Sequence, residues 1–360
     1  MIQVDEEIPI RVDLLKNGKS YEMLQEEKKF LNIEVDEEPR LEDLSLLGKN
    51  INIFTGNANP QLAYDIAKYL NISVGKALVT CFKNKETRVK INENVRGKEV
   101  FIIQSICGHP NDSLMELLLM VDACSRASAK TITAVVPYYG YAKQEKKTSG
   151  REPIAAKLVA NIIKVARTDR VITVDLHAAA IQGFFDIPVD NLMFLPILVN
   201  FYKQRHFDNK NLVIVAPDAG GVARARTFAE KLGASLAIIF KRRHKPDQAE
   251  AIDLVGDVAG KTVIMIDDMI STGGTLLEGV KSLKKHGVKK VYACVTHAIF
   301  AGNAIHDIEN SDIEEIVISD TIPLPPAAKS SKFVTLSVAP LLGETIRRIF
   351  FNLSVSKLFD

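Results

Sequence analysis

Residues 263–275, VIMIDDMISTGGT, carry the sharpest chemical signal in this sequence. An apolar run, Val263–Ile266, leads to the adjacent acids Asp267 and Asp268, and then to Ser271, Thr272, Gly273, Gly274 and Thr275. Glycines permit close backbone approach, and the exposed N–H groups at a helix start bind phosphate, with Ser and Thr hydroxyls adding hydrogen bonds. Two carboxylates directly ahead of an anion site suit a phosphorylated sugar. Its vicinal hydroxyls donate to the carboxylates while its phosphate rests on the amides. An ordinary strand–helix turn with a Ser or Thr cap needs neither the paired acids nor the whole STGGT run.

Such a loop needs a strand before it and a helix after it, and the pattern supplies both repeatedly. From residue 50 onward, short β-branched runs alternate with helical patterns. INIF (51–54), VFIIQSI (100–106), TITAVVPYY (131–139) and VITVDLH (171–177) read as strands. Helices are expected from Pro60 to Leu70, after a Ser113/Glu116 capping box, and from Pro153 with proline in its first turn. A second series holds LVIVAP (212–217), ASLAIIF (234–240), TVIMIDD (262–268), VYACVTH (291–297) and EIVIS (315–319), with helices at Val222–Leu232 and Thr275–His286. This alternation implies an α/β chain whose parallel sheets are covered by helices on both faces. Ligands of such sheets bind beyond the carboxyl ends of the strands. Chemistry is therefore sought at His177, Asp218, Lys241 and the Asp267–Thr275 loop.

The 360 residues favour two domains, and a 47% hydrophobic, 25% charged composition suits globular cores. A net charge of +2 gives no global bias toward nucleic acid or membrane. No apolar run approaches the length of a membrane span, and no secretory leader or organelle transit pattern is expected. Cys81, Cys107, Cys124 and Cys294 are scattered without a CxxC pair, which fits a reducing, cytoplasmic setting. Cys107 and Cys124 read as small core residues. In residues 1–48 acids outnumber bases about twofold, and this segment reads as an acidic, partly disordered extension. A docking or regulatory arm is the alternative reading of the same segment.

VIMIDDMISTGGT resembles the ribose-phosphate loop of the type I phosphoribosyltransferase fold, which transferases share with the synthetase that makes their substrate. DLHAAAIQGFFDIPVD (175–190) separates the two, because it closely resembles the signature of ribose-phosphate diphosphokinases, also called phosphoribosyl pyrophosphate synthetases. FKNKET (82–87), QSICGHPNDSLMELLLM (104–120), YAKQEKK (141–147), APDAGG (216–221) and FKRRHK (240–245) extend the likeness over about residues 50–350. The resemblance implies two tandem type I phosphoribosyltransferase-like domains. The divisions it suggests are an extension at 1–48, an ATP-binding domain at 49–193, a ribose 5-phosphate-binding domain at 194–350 and a tail at 351–360.

The resemblance also implies the reaction and the parts. A diphosphoryl group of Mg-ATP would move to the anomeric hydroxyl of ribose 5-phosphate, giving 5-phosphoribosyl 1-diphosphate and AMP for nucleotide biosynthesis. Asp267, Asp268 and Ser271–Thr275 would bind ribose 5-phosphate. Phe82, Asn84, Glu86, Lys143, Gln144 and His177 would bind ATP. Lys241 and Arg243, with His177, would stabilise the transferring phosphates, as mobile cations do elsewhere in phosphoryl transfer. Asp218 and His177 would serve Mg2+, and Asp175, Asp186 and Asp190 of the same signature are further metal candidates, with capping of backbone amides as their alternative role. The family pattern is altered at Lys143 (usually arginine), at Glu145 (commonly aspartate), at Ala180 (usually glutamine) and at Ser271 (aspartate in many members). The likeness further implies a homohexamer built from dimers. Phosphate and ADP would be allosteric ligands near Arg96, Lys147 and Arg151. A non-catalytic synthetase-associated subunit and a phosphoribosyltransferase are the competing readings. The first tends to interrupt catalytic loops that are intact here, and the second does not account for the DLH signature.

Overall fold

The computed structural model describes residues 41–205, 207–242, 251–328 and 330–358. The expectations for residues 1–40 and for Arg243 lie outside these. In chain order the first half comprises α1 (Leu41–Asn50), β1 (Ile51–Thr55), α2 (Pro60–Tyr69), β2 (Ala77–Cys81), β3 (Thr87–Ile91), β4 (Glu99–Ile103), α3 (Pro110–Arg126), β5 (Thr131–Val136), α4 (Ala155–Val165), β6 (Arg170–Val174) and β7 (Val189–Leu192). The second comprises α5 (Leu195–Gln204), β8 (Leu212–Ala216), α6 (Val222–Leu232), β9 (Ser235–Arg242), β10 (Ala251–Val255), β11 (Thr262–Ile270), α7 (Gly274–Lys285), β12 (Lys290–Ala298), α8 (Ala304–Glu309), β13 (Ile313–Ser319), β14 (Phe333–Leu336) and α9 (Ala339–Phe350).

Two separate sheets result. The first has the order β1-β4-β5-β6-β7, with every pairing parallel. The second has the order β10-β9-β8-β11-β12-β13-β14 and is parallel except for β10, an antiparallel edge strand on β9. Chain order reverses at β8, which pairs with β9 on one side and β11 on the other. Connections leave in opposite directions there, and a crevice opens beyond the strand ends. The parallel strands carry near-continuous apolar runs because helices cover both faces of their sheets. Leu212–Ala216 and Val263–Ile266 are buried throughout. The fold is thus the α/β, type I phosphoribosyltransferase-like architecture expected from the sequence.

The departures have local causes. The capping box at Ser113 and Glu116 is absent, because Pro110 already starts α3 at its first position. Ser113 Oγ instead donates to the carbonyls of Cys107 and His109, and the Glu116 carboxylate accepts from Asn57 and Gln104. The segment assigned to the extension already contains structure by α1, whose Leu47 is fully buried. Within the segment assigned to the tail, Leu358 packs into the core with 5% exposure. Cys107 and Cys124 are buried as expected, while Cys81 is exposed.

One core cluster is shared by both halves. It joins Leu47, Ile66 and Tyr69 to Leu198, Phe228, Leu342 and Ile346. Its organising element is α9, the last helix, which packs on α2 from the first half. Contact is so close that a Cβ on Gly343 would meet the Tyr69 ring at 2.4 Å. Beside that glycine, Glu344 is 1% exposed and accepts from Arg347 Nε and Nη2 at 2.7 Å and from Arg348 Nε at 2.8 Å. The Tyr69 hydroxyl adds a fourth donor at 3.3 Å. Removing one member of a buried charged network leaves its partners uncompensated and costs about 3–5 kcal/mol. Glu344→Ala is expected to lower the denaturant midpoint by a corresponding amount. An unchanged midpoint in urea would show that this network does not hold the halves together.

Candidate active site

β8 and β11 meet the crevice with carboxylates. β8 ends in Ala216, and after Pro217 the exposed Asp218 accepts from the Gly221 amide at 3.0 Å, which shapes the turn into α6. β11 continues past its buried apolar run through Asp267 and Asp268. The Asp268 amide donates to Asp267 Oδ1 at 2.8 Å. Asp268 is 6% exposed, and its Oδ2 lies 2.7 Å from His177 Nδ1. An ionised carboxylate only accepts, so Nδ1 carries the donated proton. Arg224 Nη1, from the first turn of α6, is 3.8 Å from Asp268 Oδ1.

These two adjacent acids acquire opposite proton affinities. Burial pushes Asp267 up, and the negative charge of Asp268 pushes it further. Burial acts on Asp268 in the same sense, but hydrogen bonds involving His177 and Asp267 and the Arg224 charge outweigh it and hold Asp268 below the usual carboxylate range. His177 is raised, chiefly by its hydrogen bond to Asp268, against an opposing effect of burial. The positive charge of Lys143 also opposes protonation of His177, so the 138–152 loop presents that lysine to the same centre.

Below the acids, Ser271, Thr272, Gly273, Gly274 and Thr275 turn the chain into α7. Gly273 has φ +80°, a conformation that suits glycine, and α7 starts one residue later. The Ser271 carbonyl accepts from Ala301 at 2.9 Å, which ties the turn to the segment after β12. First-turn amides of a helix have no intrahelical acceptor, so the start of α7 offers donors next to the acids.

Other expected site residues are not all gathered here. Lys143 and Gln144 are exposed on their loop. Phe82, Asn84 and Glu86 occupy the turn of the β2–β3 hairpin, where Phe82 is 48% exposed beneath the Arg88 guanidinium, 5.4 Å from the ring centroid. Among the described residues, no hydrogen bond or ion pair links that turn to His177. Lys241 pairs through its backbone strand with Ile252 in the β9–β10 hairpin, and Arg243 lies just outside the described residues. Asp175 is buried, with its Oδ2 accepting from the Thr296 hydroxyl at 2.5 Å and the Phe194 amide at 3.3 Å. Asp186 pairs with Lys164 at 2.9 Å, and Asp190 with Arg170 at 2.6 Å. Asp190 sits opposite Ile172, two residues before the carboxyl end of β6, so it is set back from the catalytic edge.

Two residues absent from the sequence reading stand close to this centre. Arg224 had a readable signal, since a cation in the first turn of a helix opposes the macrodipole and needs a nearby acid. His297, near the end of β12, ends the strand run VTH much as His177 follows the run VITVDL.

The comparisons with known proteins match this geometry. Residues 51–166 match the family described as the N-terminal domain of ribose phosphate pyrophosphokinase, and residues 241–360 match the phosphoribosyl synthetase-associated domain. The ribose-phosphate pyrophosphokinase of Clostridium acetobutylicum is 51% identical over 313 residues, covering 87% of this chain and 98% of that protein. The chain belongs to the ribose-phosphate pyrophosphokinase family. The pyrophosphokinase of Clostridium perfringens is 52% identical over 313 residues, covering 87% of this chain and 98% of its own. The crystal structure of phosphoribosylpyrophosphate synthetase from Mycobacterium smegmatis superposes with a TM-score of 0.80 at 41% identity, over 84% of this chain and 99% of that one. In this chain the acid pair of β11 is met by His177 from the other sheet.

The raised His177 value couples this pyrophosphokinase's stability to pH. A group raised on folding contributes stability that is complete below its unfolded value, about pH 6.5 for histidine, and that is lost as pH rises through the folded value. The stability difference between the ligand-free protein and His177→Gln should therefore be larger at pH 6 than at pH 9 in denaturant melts. Equal differences at both would mean that the pair is not titrating as a charged bond.

Proposed function

We propose that the chain transfers the diphosphoryl group of Mg-ATP to the anomeric hydroxyl of ribose 5-phosphate, giving 5-phosphoribosyl 1-diphosphate and AMP. The observation that carries this reading is the union of two chemically distinct half-sites. Asp267, Asp268 and the Ser271–Thr275 turn suit a sugar phosphate, and His177, bonded to Asp268, comes from the other sheet. In the reaction the anomeric oxygen bonds to the β-phosphorus of ATP. The bond from that phosphorus to the α,β-bridging oxygen breaks, AMP leaves with the electron pair, and the proton of the anomeric hydroxyl is released to solvent. Little covalent chemistry is asked of the protein, so its part is orientation and neutralisation of charge.

Asp267 and Asp268 accept from the ribose hydroxyls, while Ser271, Thr272, Gly273, Gly274 and Thr275 hold the 5-phosphate. His177 stands between acceptor and donor, and Lys143 and Gln144 face the ATP phosphates and ribose. Phe82 gives a stacking face for adenine, with Asn84 and Glu86 reading the base edge. Lys241 and Arg243 supply cations to the transferring phosphates. The exposed oxygen donor of Asp218 at the crevice fits magnesium, which is usually held by one or two carboxylates together with waters and substrate phosphates. Asp218 would hold the ion there, and the ion's charge would neutralise the transferring phosphates. His177 lies beside that position, whereas the ion pairs of Asp186 and Asp190 and the braced carboxylate of Asp175 favour structural roles.

We also propose a homo-oligomer, dimers assembling to a hexamer, regulated by phosphate or ADP, in a cytoplasmic setting. Exposed Ile154, Leu158 and Val165 along α4 favour self-association. No helix among the described residues is long and apolar enough to cross a membrane. The identity to named pyrophosphokinases favours an active enzyme over a non-catalytic associated subunit.

A coupled assay for AMP formed from ATP and ribose 5-phosphate with magnesium tests the reading. Folded protein with no activity at any phosphate concentration would sink it. Lys241→Ala should lower turnover by at least about 100-fold, the scale for losing a preorganised charge stabiliser. Near-normal turnover in that variant would remove Lys241 from the mechanism.

A further inference from the structure

Thr296 and His297, at the end of β12, both reach across to the segment that carries His177. His297 is 1% exposed, and its Nε2 lies 3.0 Å from the Val174 carbonyl and 3.2 Å from the Asp175 carbonyl. Carbonyl oxygens only accept, so Nε2 carries a proton and donates. In the neutral ring Nδ1 then accepts from the Thr321 hydroxyl at 2.9 Å, and Thr321 is held in turn by Ser319 at 2.8 Å. The Tyr138 ring packs on His297 with centroids 5.0 Å apart. Thr296 donates to the Asp175 carboxylate at 2.5 Å. One strand of the second sheet therefore grips Asp175 by its side chain and its main chain together.

Asp175 is where such a grip matters. Its φ is +42°, a conformation that non-glycine residues hold only when their surroundings impose it. The chain leaves β6 at this residue and turns, and two residues later His177 meets Asp268. Rotation at Asp175 would swing His177 off Asp268. A patch of apolar side chains could fill the same space without burying a histidine and three hydroxyls, so filling space does not account for this network.

We propose that His297 is a positioning residue for diphosphoryl transfer. Acting through Asp175, it fixes His177 against Asp268, so that the donor and acceptor half-sites are in register before substrates arrive. The proposal rests on the reading of His177 as part of the catalytic centre. His297 touches no reacting atom, and its effect falls on turnover because orientation errors of about 1 Å cost on the order of 100-fold in rate.

The experiment compares His297→Leu, which removes the donor, with His297→Gln, whose side-chain amide can still donate to the carbonyls. Both are measured for AMP formation and for amide exchange of residues 175–178 by mass spectrometry. His297→Leu should lower kcat by about 10- to 100-fold with a smaller change in either KM, and should speed exchange in 175–178. His297→Gln should recover most of both. In a His177→Ala background, His297→Leu should cost almost nothing further. If His297→Leu does not fold, Thr296→Val removes only the hydroxyl donor to Asp175 and is read in the same way. A folded His297→Leu with normal kcat, a glutamine variant no better than leucine, or additive losses with His177→Ala would each overturn the role of His297. A harmless His177→Ala would instead overturn the reading of His177 itself.

Discussion

A nearly inaccessible carboxylate that must stay ionised governs the centre of this molecule. Asp268 is 6% exposed, and a charge so far from water is costly unless donors surround it. β11 supplies only part of this, through Asp267, which burial and Asp268 drive toward its neutral, donating form. His177 and Arg224 therefore come from elsewhere, one from the first sheet and one from α6. Satisfying one side chain brings together the carboxyl ends of two sheets, and the crevice between them follows from that approach.

Other polar contacts also cross between the two halves. Asn59, the N-cap of α2, donates to the Asp320 carbonyl at 2.7 Å, and Ser105 donates to the Thr321 carbonyl at 2.6 Å. Together with the grip of β12 on Asp175, they form a row of polar struts along the junction. Each strut is directional, so it fixes register as well as distance. Apolar packing elsewhere supplies the cohesion, and the struts select which arrangement the cohesion maintains.

Much of this was legible in the sequence, and the exceptions share a physical cause. Strands such as Leu212–Ala216 and Thr262–Ile270 announce themselves because burial on both faces demands unbroken apolar runs. β7, with sequence VDNL, and β14, at the sheet edge, carry no such run, and neither was expected. The β2–β3 hairpin alternates half-buried and exposed residues over a short span, a pattern easily lost among loops. The acid pair and the glycine turn were readable because their chemistry is local. The Asp175–His297 contact was not, because it depends on residues 122 positions apart meeting across a junction. Asp186 and Asp190 illustrate the converse. A motif groups them with His177, but their ion pairs with Lys164 and Arg170 occupy them elsewhere.

The position of α9 has a consequence for how the chain is made. Its residues Ala339–Phe350 are made long after α2, which begins at Pro60, yet they complete the packing around it. Until they emerge, Tyr69 has neither Glu344 to bond nor Gly343 to press against. The first half must wait with an unfinished apolar face, and long-range closure of this kind is slow and exposed to wrong partners. Birth order therefore runs opposite to structural completion.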